Sequence, residues 1–155
     1  MSESNKNVVR RLFEEVWNKD NLHVTDELFT PNYAHHDAST PDVGRGPESE
    51  KKRATLYRTA FPDIRLMIED IIADGETVVA RWSCRGTHKG DLSGIAPTGK
   101  QVNITGVSIA RFASGKMAEG WVNWDALQLG VIPELGKAKP SPPPQGNEFQ
   151  VTERT

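Results

Sequence analysis

At Pro62 the hydrophobic periodicity of this chain changes, and that change limits the folds open to it. Before it, Val9, Leu12, Phe13 and Val16 recur at the spacing of one helix face, with charged residues between them, which predicts an amphipathic helix over residues 5–18. Lys19-Asp20-Asn21 stops it. A short second helix is expected over residues 24–29, closed by Thr30-Pro31 because proline disfavours helix in the residue before it. Residues 33–37 then read as a brief extended piece running into a loop. Pro47, followed by Glu48 and Glu50, opens a third helix whose apolar stripe is Ala54, Tyr57, Ala60 and Phe61.

After Pro62-Asp63 the pattern alternates. Ile64, Leu66, Ile68 and Ile72 read as a strand, Asp74-Gly75 as a hairpin turn, and residues 77–85 as the returning strand. A Gly- and Pro-rich loop, 86–100, leads to a long strand over 102–112, and Ser114-Gly115-Lys116 turns it into a last strand that opens the stretch up to Gly130. Helices followed by an antiparallel meander predict an α+β domain, its N-terminal helices packed on one face of a curved, mainly antiparallel sheet. A sheet bent over a helix leaves a cone, and the open end of a cone is a natural ligand pocket.

The 155 residues fit one domain, expected over 1–136, and the Pro-rich remainder, 137–155, reads as an extended arm with a short strand at 148–151. A net charge of −2 without a basic stripe excludes nucleic acid as a partner, and no apolar run approaches a signal sequence or a membrane span. The lone cysteine, Cys84, excludes an internal disulfide and reads as a buried packing residue. Together these features describe a soluble protein of a reducing cytoplasm.

Chemistry concentrates in the last strand. Side chains alternate faces there, so Glu119, Trp121, Asn123, Asp125 and Leu127 share one face, while Ala118, Val122, Trp124 and Ala126 share the other. Burying a polar group without a partner costs roughly 2–7 kcal/mol, so an aspartate among indoles calls for a purpose. Asp125 reads either as a proton-shuttling acid, its pKa raised by an apolar pocket and Asn123 donating to a carbonyl, or as a structural carboxylate meeting Arg81 or Arg111. His88 stands at the mouth of the glycine-rich loop, where it either satisfies backbone groups or touches substrate. His35 and His36 point to opposite faces of an extended segment, so at most one enters the cone, and adjacent histidines cannot chelate a metal from a strand. Phe13, Trp17 and Tyr57 read as core, and parity leaves Trp82 on either side of the sheet.

Phe61-Pro62-Asp63, the run from Gly86 through His88 to Gly90, the run from Gly94 through Pro97 to Lys100, Gly115-Lys116 with Glu119 and Trp121, and Asp125 followed by Gln128-Leu129-Gly130 resemble the SnoaL-like polyketide cyclase family of the NTF2-like superfamily. The resemblance covers roughly residues 5–132. It implies a cone that closes rings by intramolecular aldol condensation of an apolar polyketide or ester substrate, with neither metal nor cofactor. It makes Asp125 the general acid/base, sets His88 and His36 at the pocket rim or wall, and leaves Trp121, Asn123, Trp82 and Phe61 as the substrate pocket. Some relatives carry histidine where Gly120 or a residue near Ala110 stands here. A homodimer through the exposed sheet face is also implied. The expected function is a cofactor-independent cyclase or lyase; the alternatives are a non-catalytic ligand-binding or dimerisation module, and a hydratase, dehydratase or epoxide hydrolase of the same fold.

Overall fold

The computed structural model describes residues 2–39 and 42–125. Helix α1 (Ser2–Arg11) continues as a wider π-helical stretch (Leu12–Asn18), and a single 3-10 turn (Leu22–Val24) leads into α2 (Thr25–Leu28). Strand β1 (Phe29–His36) precedes α3 (Pro47–Ala60), after which come β2 (Arg65–Asp74), β3 (Thr77–Thr87), β4 (Gln101–Ala113) and β5 (Lys116–Trp124). The α+β order expected from the change of periodicity is the order observed. β1 is longer than the expected extended piece because Phe29 and Tyr33 both bury their rings in the core, and Pro31 is tolerated where β1 forms the edge of the sheet. The end of the last strand beyond Asp125, with Leu127 and the Gln128-Leu129-Gly130 motif, lies outside the described residues, as does the proposed arm 137–155.

The sheet runs β1-β5-β4-β3-β2, antiparallel throughout except where β1 lies parallel to β5. Ser114 and Gly115 both take positive φ, the geometry of a two-residue turn that matches strand twist, and so fold β5 tightly back on β4. The register of that hairpin decides which face of β5 is inside. On β4 the buried positions are Val102, Ile104, Gly106, Ala110 and Phe112. Ala110 pairs with Gly120, Ser108 with Val122 and Gly106 with Trp124, which turns those residues of β5 inward. Ile109 pairs with Trp121 and Val107 with Asn123, which turns those outward. A one-residue slip at Ala118, between the Arg111–Glu119 and Phe112–Met117 pairs, lets Met117 be buried as well.

The helical layer is pinned to the far edge of the sheet by one side chain. Asn18 donates from Nδ2 to the Leu66 carbonyl (2.9 Å) and accepts from the Leu66 N–H at Oδ1 (2.8 Å), so it satisfies both backbone groups of a β2 residue. Two such bonds contribute about 2 kcal/mol, and Asn18→Ala should lower the unfolding free energy by about that much in urea titration. A change below about 0.5 kcal/mol would show that the helix is held by packing alone.

Candidate active site

Between the helices and the concave face of the sheet lies a cavity of about 130 Å³. Most of its wall is apolar: Val9, Phe13 and Trp17 from the N-terminal helix, Leu66, Val78, Ala80 and Trp82 from the sheet, and Phe61 and Leu92 beside them. Cys84 also faces it, and burial pushes its thiol up to about 12, so it packs there as an inert group rather than a nucleophile.

One corner of the cavity is polar. Tyr33, His35 and Asp37 enter it from β1 and the residue beyond, and Glu50 and Arg53 enter it from α3. The side chains of His35, Asp37, Glu50 and Arg53 are each less than 10% exposed. Arg53 Nη1 donates to Glu50 Oε2 at 2.8 Å, and Trp17 Nε1 donates to Glu50 Oε1 at 2.9 Å. Arg53 Nη2 and His35 Nε2 both face Asp37 Oδ2, at 3.6 and 3.9 Å. Burial works against the Arg53 charge, and the neighbouring Glu50, Tyr33 and Asp37 outweigh it, so the guanidinium holds its proton more tightly than usual.

Tyr33 holds the imidazole from one side. Burial, followed by the Glu50 charge, raises its phenol far above the ordinary tyrosine range, so the hydroxyl keeps its proton and needs an acceptor. Its oxygen lies 3.1 Å from His35 Nδ1. On the other side of the ring His35 Nε2 faces Asp37. Gly120 makes room for the phenol: a Cβ there would stand 2.2 Å from the Tyr33 oxygen. His35 pairs with Gly120 across the β1–β5 ladder, and the Tyr33 phenol takes the space that a larger residue at 120 would occupy.

The residues expected from sequence divide between the two faces of the sheet. Phe61 and Trp82 line the cavity; Trp82 packs edge-on to Phe13 and donates from Nε1 to Ser108 Oγ at 2.9 Å. Trp121 touches the cavity but is 37% exposed, and it stacks on His36, whose Nε2 bonds Glu119 at 2.8 Å. That places His36 on the outer face. Asn123 and Asp125 also stand there, exposed, around a shallow hollow with Arg81, Thr105 and Val107. The Asp125 N–H donates to the Thr105 carbonyl at 3.0 Å. Arg81 pairs with Asp70 at 2.6 Å and Arg111 with Glu119 at 3.3 Å. His88 is fully buried against Phe61, its Nδ1 accepting from the Thr98 N–H (3.3 Å) and 3.0 Å from Thr98 Oγ1, while its backbone ties to Lys100 and Gly99. It staples the glycine-rich loop behind the cavity wall.

The sequence profile of SnoaL-like polyketide cyclases matches residues 7–130. The chain belongs to that family. Solved structures agree with the assignment. A candidate polyketide cyclase from Acidithiobacillus ferrooxidans is 32% identical, with a TM-score of 0.74 over 90% of this chain and 99% of that one. AclR, a candidate hydroxylase from Streptomyces galilaeus, is 26% identical, with a TM-score of 0.74 over 90% of this chain and 100% of its own. A candidate SnoaL-like polyketide cyclase from Jannaschia sp. CCS1 is 25% identical, with a TM-score of 0.73 over 89% and 95%. No curated protein matches. The cyclase and hydroxylase among these neighbours share the fold while differing in assigned chemistry, so the SnoaL-like scaffold does not by itself fix a reaction.

Within this SnoaL-like protein the buried cluster was the part that sequence reading missed, although two signals for it existed. Tyr33, His35 and Asp37 alternate, so the buried Tyr33 ring carries the other two to the same side. Glu50 falls four residues before Ala54 and Arg53 four before Tyr57 on α3, which places both charges inside that helix's apolar stripe. Among the described residues no group of three His, Cys, Asp or Glu side chains is arranged to hold a metal ion, and no helix is long and apolar enough to cross a membrane.

Proposed function

We propose that this protein is a cofactor-independent cyclase-type enzyme that moves a proton next to the carbonyl of a small apolar substrate, as in an intramolecular aldol closure. The observation that supports it most is the joining of an apolar cavity to one buried carboxylate, Asp37, that faces two N–H-bearing side chains. In the proposed step Asp37 takes a proton from the carbon beside the carbonyl, and the carbonyl oxygen, gaining charge, accepts from His35 Nε2–H. The enolate carbon then bonds to a second carbonyl carbon of the same molecule. The π pair of that carbonyl moves to its oxygen, which takes the proton back from the Asp37 carboxyl, and Asp37 is again a carboxylate.

Asp125 is the other carboxylate proposed for this role, on the strength of the family resemblance. It stands exposed on the outer face, away from the apolar cavity that Asp37 enters, and that favours Asp37. The apolar side chains exposed on the same outer face, among them Met67, Ile72, Val107 and Ile109, support a homodimer as part of the proposal. Proton abstraction can be tested before the substrate is known. Incubated with 1-indanone in D₂O, the protein should accelerate exchange of the protons beside the carbonyl at least tenfold over buffer, as followed by proton NMR. Exchange at the buffer rate for 1-indanone, 1-tetralone and ethyl levulinate alike would remove the enzymatic reading and leave a ligand-binding module.

A further inference from the structure

A buried arginine in a ligand cavity ordinarily signals an anionic ligand. The partners of Arg53 reverse that expectation. Glu50 spends one oxygen on Trp17 Nε1 and the other on Arg53 Nη1, so the guanidinium already has a hydrogen-bonded counter-charge. Asp37 Oδ2 adds a second negative charge 3.6 Å from Nη2. Two carboxylates thus already face the Arg53 guanidinium in this corner. A ligand carboxylate would be a third negative charge in a space whose remaining walls are apolar.

Two donors in the same corner are nevertheless left over. Arg53 Nε and His35 Nε2 are buried and, among the described residues, make no hydrogen bond. The Arg53 side chain is 9% exposed and that of His35 is 5% exposed, and the Trp17 ring lies 5.7 Å from the Arg53 guanidinium carbon, which limits how far the fork can swing. Both donors belong to side chains that face Asp37 Oδ2, so an oxygen seated beside that carboxylate can accept from them. A carbonyl oxygen needs donors and brings no charge.

We infer that Glu50, Arg53 and Asp37 form a selectivity filter, with Arg53 Nε–H reading a neutral carbonyl oxygen (ester, ketone or lactone) and the paired carboxylates turning away the corresponding free acid. The inference rests on the reading that the cavity holds an apolar carbonyl compound, and it adds which carbonyl compounds are admitted. The cavity, at about 130 Å³, is close to the roughly 150 Å³ apolar cavity that admits benzene, so one-ring probes fit.

The test is calorimetric titration of the full chain at pH 8 with methyl benzoate, sodium benzoate and isopropylbenzene, which share a ring and differ at the group offered to Arg53. Methyl benzoate should bind at least tenfold more tightly than benzoate and at least fivefold more tightly than isopropylbenzene. In Glu50→Gln the gap between ester and acid should shrink at least fivefold, through tighter benzoate binding. Benzoate binding as tightly as its ester to the unaltered protein overturns the filter while leaving a carbonyl-binding cavity. Ester binding no tighter than isopropylbenzene overturns the role of Arg53. Absence of binding by all three overturns both the filter and the carbonyl reading beneath it. Because the comparison among probes is made on the unaltered protein, it stands whether or not the variant folds.

Discussion

Replacing Asp37 with asparagine should bring exchange of the protons beside the 1-indanone carbonyl down to the buffer rate, as expected when a positioned general base, a group that contributes roughly 10²–10⁴-fold, is removed. The amide keeps the shape of the carboxylate and still accepts at Oδ1, where the Ser39 N–H donates at 2.9 Å. Arg53 keeps its 2.8 Å bond to Glu50, so no buried cation is orphaned and the variant should fold. Near-ultraviolet circular dichroism, dominated by the clustered tryptophans 17, 82 and 124 that face the cavity, provides the check on folding. Asp125→Asn is the paired measurement. Its side chain stands on the outer face, so exchange should remain within threefold of the parent. If Asp125→Asn abolishes exchange and Asp37→Asn does not, the proton is handled at the end of β5, and the buried corner is a binding element only.

The contrast between these two aspartates shows what the sequence disclosed and what it withheld. The change at Pro62 identified helices before sheet, and the turn signals at Asp74-Gly75 and Ser114-Gly115 located both tight hairpins, because these are local preferences of a few residues. Strand parity was also legible: Trp121, Asn123 and Asp125 do share a face. Which face lies inside was not legible, because that depends on pairing with β4, where Ala110 and Gly106 stand opposite Gly120 and Trp124. On β1 the same parity argument admitted one histidine of the His35-His36 pair. The buried Tyr33 selects His35 and leaves His36 stacked on Trp121 outside. The Glu50–Arg53 pair was hidden for a different reason. Charges at a helix start read as favourable dipole and surface contacts, and only the arrival of Asp37 and Trp17 from distant parts of the chain turns them into a buried cluster.

The glycine-rich loop was recognised as a motif, and its geometry predicts the largest loss of stability. Gly90 lies against the last turn of α3, where its N–H and that of Lys89 both donate to the Ala60 carbonyl, at 3.1 and 3.0 Å. A Cβ at position 90 would stand 1.8 Å from the Thr59 carbonyl oxygen and 2.8 Å from its carbon. Both atoms are helix backbone, so neither can rotate away as a side-chain tip would. Gly90→Ala must therefore lift the loop, giving up those two bonds, or bend the helix end. Either route costs about 3 kcal/mol, from overpacking together with the lost hydrogen bonds. In a domain of this length that corresponds to a fall of about 6–12 °C in Tm, measurable by scanning calorimetry. The damage should also reach the cavity, since Leu92 lines it two residues further on and His88, two residues before, packs against Phe61 in its wall. Methyl benzoate should consequently bind more weakly to Gly90→Ala even at temperatures where the variant is fully folded. A fall in Tm of less than about 2 °C would mean that the loop sits further from α3 than 1.8 Å implies, and with it the seating of Phe61 and Leu92 would need to be redrawn.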